Sequence, residues 1–317
     1  MTPKYILLTL FILASSLSIK AQSSNWFLDA FDAILDQPTF LMSDEITADV
    51  PKGGHLQGIQ VSGNKVFISG SSNDQAYLAV FKGHETKLSF IGLKVLSEKP
   101  YTHAGGFQID QNWLAVGCED PVGKKASLVV MQEVSNAAAL AGKPSYVLQR
   151  EGQKKLATAG AVALLKREDH FLLAVASWNA ATIDFYTSNH LYPSKEDFEF
   201  SKWTTWDKET SRHRGWVDKK AISYQNIQLF EDSSGVYLIG TGINSKGSQL
   251  ADVFSIDSKK DKYDMMVKVR GRVFNLPGSA SFRNGAGFVK DGDKLSLWTI
   301  GKHLKPKTFV AVFPSKN

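Results

Sequence analysis

Two histidines head matching segments of this chain, His55-Leu-Gln-Gly-Ile-Gln-Val61 and His103-Ala-Gly-Gly-Phe-Gln-Ile109. An imidazole titrates near neutrality, so either could act as a general base. With Glu119 the pair would supply the donors of a three-ligand metal site. No run in the sequence sets metal-ligand spacing, so the expectation is a site with neither metal nor cofactor. Glycoside hydrolysis needs two carboxyl groups placed across the scissile bond. Glu119 and Asp120 are sequence neighbours and point in different directions. There is no Gly-x-Ser-x-Gly elbow, and the single Cys118 has no evident histidine partner. Gly240-Thr-Gly242 precedes a loop between strands, not a helix, so it is no phosphate cradle. An EF-hand loop is absent too.

The histidine segments belong to a weak repeat. Thr158-Ala-Gly-Ala-Val-Ala-Leu164, Ser223-Tyr-Gln-Asn-Ile-Gln-Leu229 and Phe282-Arg-Asn-Gly-Ala-Gly-Phe288 align beneath them, each with a small residue or Asn fourth and an apolar residue seventh. Repeats at this spacing mark a propeller, solenoid or array. Each interval between repeats holds four strand-like runs. In the first they are Leu56–Gly63, Lys65–Ser71, Ala76–Lys82 and Lys87–Leu96. The fifth unit has three: Gly285–Val289, Lys294–Thr299 and Thr308–Phe313. Thr39–Ile46, ahead of the first repeat, is a spare strand. If it completes the last unit, the ring closes and no sheet edge is left open. The pattern predicts an all-β, five-bladed β-propeller of four-stranded blades, closed by its N-terminal strand. A six- or seven-bladed ring, or a two-sheet sandwich, is the alternative.

In that architecture Gly58, Gly106, Ala161, Asn226 and Gly285 take one equivalent place beside the axis, where only small groups fit. Gln60, Gln108 and Gln228 also recur, and their amides are expected to bond main chain in the next blade, outside the site. The loops entering the innermost strands and those joining second to third strands open on one face. They carry His55, His103, Thr158, Ser223 and Phe282-Arg283, with Asn73-Asp74, Glu119-Asp120, Trp178-Asn179, Asn244-Ser245 and Lys302-His303. The connection over 202–221 holds Trp203, Trp206 and Trp216 beside Arg212, His213 and Arg214, and is assigned to the same face. The candidate ligand-binding residues are therefore His55, His103, Glu119, Trp178, Arg214, Trp216, Tyr224 and Arg283. Aromatic rings would stack on a sugar or an apolar group. Arg214, His103 and Glu119 would hold polar groups.

Residues 1–21 have the form of a secretory signal: Lys4, an apolar run over Ile6–Leu17, and Ala21 before Gln22. The mature chain, 22–317, is expected to be one propeller domain in the periplasm or outside the cell. Asn25–Gln37 within it has helical apolar spacing, with Asp29, Asp32 and Asp36 opposite, and is expected to pack on the propeller's side or bottom, with a partner-binding helix as the second reading. The formal charge of +6 falls to +4 without Lys4 and Lys20, which is no nucleic-acid footprint. No later stretch would span a membrane. One cysteine means no internal disulfide; Cys118, in an apolar strand, is expected to be buried and inert.

At fold level the mature chain resembles the five-bladed propellers of tachylectin-type lectins and arabinanase-type glycosidases. The resemblance implies architecture only. The near-identical repeats of the lectins are missing. So are the acids that the glycosidases carry on their innermost strands, since these strands start with His, His, Thr, Ser and Phe-Arg. The expected function is non-catalytic binding of a small molecule, carbohydrate among them, or of an exported partner, by a monomer. A hydrolase or lyase using His55 or His103 is the second reading. A scaffold with an apolar patch at Trp26–Leu35 is the third.

Overall fold

A computed structural model describes residues 26–46, 49–83, 87–276, 278–304 and 306–316. The expected signal segment, 1–21, lies outside the described residues. The described residues open with helix α1 (Trp26–Asp32) and strand β1 (Thr39–Met42). Four consecutive antiparallel meanders follow. They are β2 (Leu56–Ser62), β3 (Lys65–Ser71), β4 (Gln75–Lys82) and β5 (Ser89–Glu98); then β6 (His103–Asp110), β7 (Trp113–Glu119), β8 (Ala126–Glu133) and β9 (Tyr146–Glu151). The third has β10 (Ala161–Lys166), β11 (Phe171–Ala176), β12 (Thr182–Ser188) and β13 (Phe200–Asp207). The fourth has β14 (Ser223–Asp232), β15 (Gly235–Ile243), β16 (Gln249–Ile256) and β17 (Met266–Phe274). Last come β18 (Ala286–Asp291), β19 (Lys294–Ile300) and β20 (Phe309–Phe313), and β1 pairs antiparallel with β20 to complete the fifth blade. The chain is a β-propeller, closed as its sequence predicts.

Side-chain alternation builds the ring. Successive residues of a strand point to opposite faces. Val66 and Ile68 of β3 therefore join the core facing the last blade, whereas Phe67 between them joins the core facing the second. Five apolar clusters form in this way among the described residues, one in each cleft between neighbouring blades. Inner strands such as β11 are buried along their whole length, while the outermost strands, β5 among them, alternate or lie exposed.

The axis is crowded, as the small residues of the repeat require. A Cβ on Gly106 would lie 2.5 Å from Asn226 Oδ1. The second and third blades come close enough there for a parallel bridge, Ala161 to Gly106, which makes one eight-stranded sheet of the two. Inner hairpins turn tightly at the lower end, through Gly63 (φ +57°) and Gly292 (φ +57°), in the left-handed region that glycine favours.

Helix α1 fills the lower cleft between the fourth and fifth blades. Phe27 stacks on Phe230 and Tyr237 at centroid distances of 5.0 and 4.8 Å. Trp26, Phe27 and Phe31 are buried, so the helix packs on the propeller as expected, and the apolar patch of the scaffold reading is used up in the core. Burying each such ring stabilises the fold by about 2 kcal/mol. Leaving that surface in water would forfeit this.

Candidate functional site

A cavity of about 560 Å³ opens where the innermost strands begin. The strand starts supply His55, Gln57, His103, Ser223 and Tyr224 to its wall, with Gly160 before β10 and Arg283 before β18. The second-to-third loops supply Ser177, Trp178, Asn179, Asn244 and Ser245, and Glu119 ends β7. Six of the eight candidate residues thus line one space: His55, His103, Glu119, Trp178, Tyr224 and Arg283.

The first two blades build its most polar corner. The His55 and His103 rings meet edge to face, with centroids 5.2 Å apart. The buried amide of Gln57 lies between them, its Nε2 at 2.7 Å from His55 Nδ1 and 3.1 Å from His103 Nε2. An amide N–H can only donate, so with this amide orientation both ring nitrogens accept. A neutral His103 then carries its proton on Nδ1, which faces Glu119 Oε2 at 3.3 Å. Burial, and the neighbouring His103, Lys302 and His303, lower the His55 pKa from 6.5 to about 4. His55 is therefore neutral at physiological pH.

Glu119 is 1% exposed, and its Oε1 has no hydrogen-bond partner among the described residues. A buried carboxylate oxygen normally finds a donor, so this one is left unsatisfied by the protein's own described groups. Gly160, of the third blade, lies beside it. A Cβ there would lie 3.5 Å from Oε1.

The aromatic walls differ from each other. Trp178 stands on a single 3-10 turn (Trp178–Ala180), with the Lys124 ammonium 3.5 Å from its ring centroid. Tyr224 closes the wall with a ring that is itself buried in the core against Phe254. Its hydroxyl donates to Asp252 Oδ2 at 2.8 Å, and Asp252 pairs with the buried Lys268 at 2.9 Å. Burial and the Asp252 carboxylate hold the Tyr224 pKa well above its ordinary value, so the phenol stays protonated and turned away from the cavity.

Two candidates are placed elsewhere. Trp216 packs on Phe254 and donates its indole N–H to Met266 O at 2.9 Å, in the core between the third and fourth blades. Arg214 is exposed, 3.9 Å from Asp264. The connection leaves the outer strand β13 and first follows the outer strand β17, through Arg212 N to Tyr263 O and Val217 N to Lys268 O. It reaches the axis only at β14, so its indole fills a cleft and its arginine a flank. Trp206 is core and Trp203 is partly exposed.

Two of the three recurring glutamines behave as expected of tie-bars. Gln108 Oε1 accepts from Leu164 N (3.1 Å) and Leu229 N (2.8 Å), and its Nε2 donates to Leu229 O. Gln228 makes the same pair of bonds to Phe288 N and O. Gln60 instead bonds its neighbour, Ile59 O. Cys118 is fully buried and its pKa is pushed up to about 12, which leaves the thiol inert.

Gln57 and Gly160 escaped the sequence reading. The strand period could have found Gln57, which lies two residues past His55 on the same face. Nothing in the sequence flags Gly160, because its role comes from Glu119 of another blade.

No protein-family model matches the chain. No curated protein matches it either. Among solved structures, a bifunctional GH43-CE protein of Bacteroides eggerthii superposes with a TM-score of 0.51 at 11% identity, over 89% of this chain and 34% of that one. The chain thus spans about a third of that protein. The GH32 beta-fructofuranosidase BmSUC1 of Bombyx mori gives a TM-score of 0.49 at 13% identity, over 89% of this chain and 64% of that one. A GH62 hydrolase in complex with xylotriose gives 0.48 at 9%, over 88% and 98%. The likeness is one of fold. At 11% identity the first match speaks for propeller architecture and for nothing finer.

Proposed function

We propose that this chain is an exported, monomeric propeller that binds a small polyhydroxy ligand, a carbohydrate, at the upper mouth of its axis without turning it over. One observation carries the reading: Glu119 is almost wholly buried in the cavity wall, yet one of its carboxylate oxygens has no hydrogen-bond partner among the described residues. A sugar hydroxyl is a donor of the right size for that oxygen. His55 and His103 offer further polar edges, and the Trp178 indole suits a pyranose ring. Glu119 is the only acid among the described residues lining the cavity, which argues against two-carboxylate hydrolysis. Export rests on the N-terminal pattern, and no helix among the described residues is long and apolar enough to cross a membrane.

A second reading, catalysis by His103, is favoured by its Nδ1 lying 3.3 Å from Glu119 Oε2, since a carboxylate in that position orients an imidazole base. The two are separated by calorimetry and product analysis on the mature protein against neutral and acidic sugars. Binding that is lost in Glu119→Gln, with no product formed, supports the first reading. Product formation that fails in His103→Gln would replace it with the second.

A further inference from the structure

The cations at the cavity suggest which sugar. The chain has seven arginines. Arg150, Arg167, Arg212, Arg214, Arg270 and Arg272 each lie within ion-pair distance of a carboxylate. Arg283 alone has no such partner among the described residues, and it is the arginine that lines the cavity. An exposed arginine is often simply solvated. Here six others found carboxylates, while the remaining one stands at a concave site.

Arg283 is reinforced from its own blade. Lys302, on the loop after β19, also lacks an ion-pair partner among the described residues, and its carbonyl accepts from Leu56 N at the start of β2. Its ammonium is close enough to His55 to disfavour a charged imidazole there. The cavity is therefore polarised. Glu119, on the second blade, is a pure acceptor at the buried end, and Arg283, on the fifth, is a five-donor fork at the rim. The first blade separates them. A ligand matching both ends needs hydroxyl donors on one side and an anionic group on the other. A wholly neutral sugar leaves the guanidinium unused, and a simple inorganic anion leaves Glu119 unpaired. The planar fork suits a carboxylate, which it can hold through two parallel bonds.

Building on the carbohydrate reading above, we infer that the ligand is an acidic sugar, a uronate or an oligosaccharide ending in one. Its ring hydroxyls face Glu119 and the histidines, and its carboxylate faces Arg283.

The test is calorimetric titration of the mature chain at pH 7 with glucuronate and galacturonate beside glucose and galactose, their neutral parents, and with glucose 6-phosphate. Wild type, Arg283→Gln and Arg283→Lys are compared, with thermal melts to establish that each is folded. Expected is a uronate preference of about tenfold or more over the neutral parent, a charge-assisted pair's worth. That preference weakens with added salt, falls to near one in Arg283→Gln and is partly retained in Arg283→Lys. Equal binding of acidic and neutral sugars by wild type would overturn the acidic assignment and leave the carbohydrate reading standing. Tighter binding of the phosphate than of either uronate would overturn the carboxylate assignment. A folded wild type that binds none of these sugars would overturn both readings.

Discussion

The two ends of the axial channel use polar side chains in opposite ways. At the lower end a cavity of about 640 Å³ is lined by Gln60, Gln108 and Gln228, and their amides are spent on main chain. Gln108 alone joins the third and fourth blades to the second. At the upper end Gln57 holds two imidazoles, and Glu119 Oε1 has no partner among the described residues. Cavity size does not separate the two ends; satisfaction does. Buried polar groups that bond the backbone maintain a fold, and those left open are what a ligand can complete.

Breaking the lower end should cost the most stability. Gln108→Leu leaves Leu164 N, Leu229 N and Leu229 O without their partner, and is expected to destabilise by about 3 kcal/mol in urea unfolding. A loss below half of that would mean the tie-bar is dispensable. At the upper end the sign reverses: Glu119→Gln removes a buried charge and should leave stability unchanged or raise it by up to about 1 kcal/mol, while ligand affinity drops tenfold or more. Parallel melts and titrations of that variant decide it, and a large loss of stability would make Glu119 structural.

His55 sharpens the contrast through pH. Its folded pKa of about 4 lies below the ordinary 6.5, so between these values the unfolded chain binds more protons than the native one. Stability contributed by the neutral ring is whole above pH 6.5 and is lost as pH falls toward 4. Allowing for the ring's partial exposure, the loss is about 1 kcal/mol. The groups facing His55 are His103, Gln57, Lys302 and His303. Melting curves of wild type and His55→Gln across that range should converge on acidification, and parallel curves would refute the shift. Smallest in stability is Gly160→Ala. Its backbone is not left-handed and the new Cβ meets Glu119 Oε1 at an ordinary 3.5 Å, so melting should move by less than about 0.5 kcal/mol. Affinity should nevertheless fall several-fold, because the methyl crowds the unsatisfied oxygen.

Much of the ring was legible from local pattern. The recurrence of His55, His103, Thr158, Ser223 and Phe282 set the period, and the spare strand before the first repeat announced the closure seen between β1 and β20. The loop geometry of a propeller then placed His55, His103, Glu119, Trp178, Tyr224 and Arg283 at one mouth. The connection after β13 defeated the same reasoning. Its length let the chain follow an outer strand before turning inward, and burial of an indole with a satisfied N–H outweighed any place at the rim for Trp216.

By itself the sequence determined the strand periodicity, the blade-forming repeat, the small residues at the axis and the inert cysteine, all of which follow from side-chain size and alternation along a few residues. Tertiary structure alone decided that the Tyr224 hydroxyl turns to Asp252, that Gln57 sits between two histidines and that one Glu119 oxygen, beside Gly160, has no partner among the described residues. It alone left Arg283 without an acid partner among the described residues. Such facts depend on which groups from other blades arrive within hydrogen-bond reach, and sequence spacing does not encode a distance across the ring.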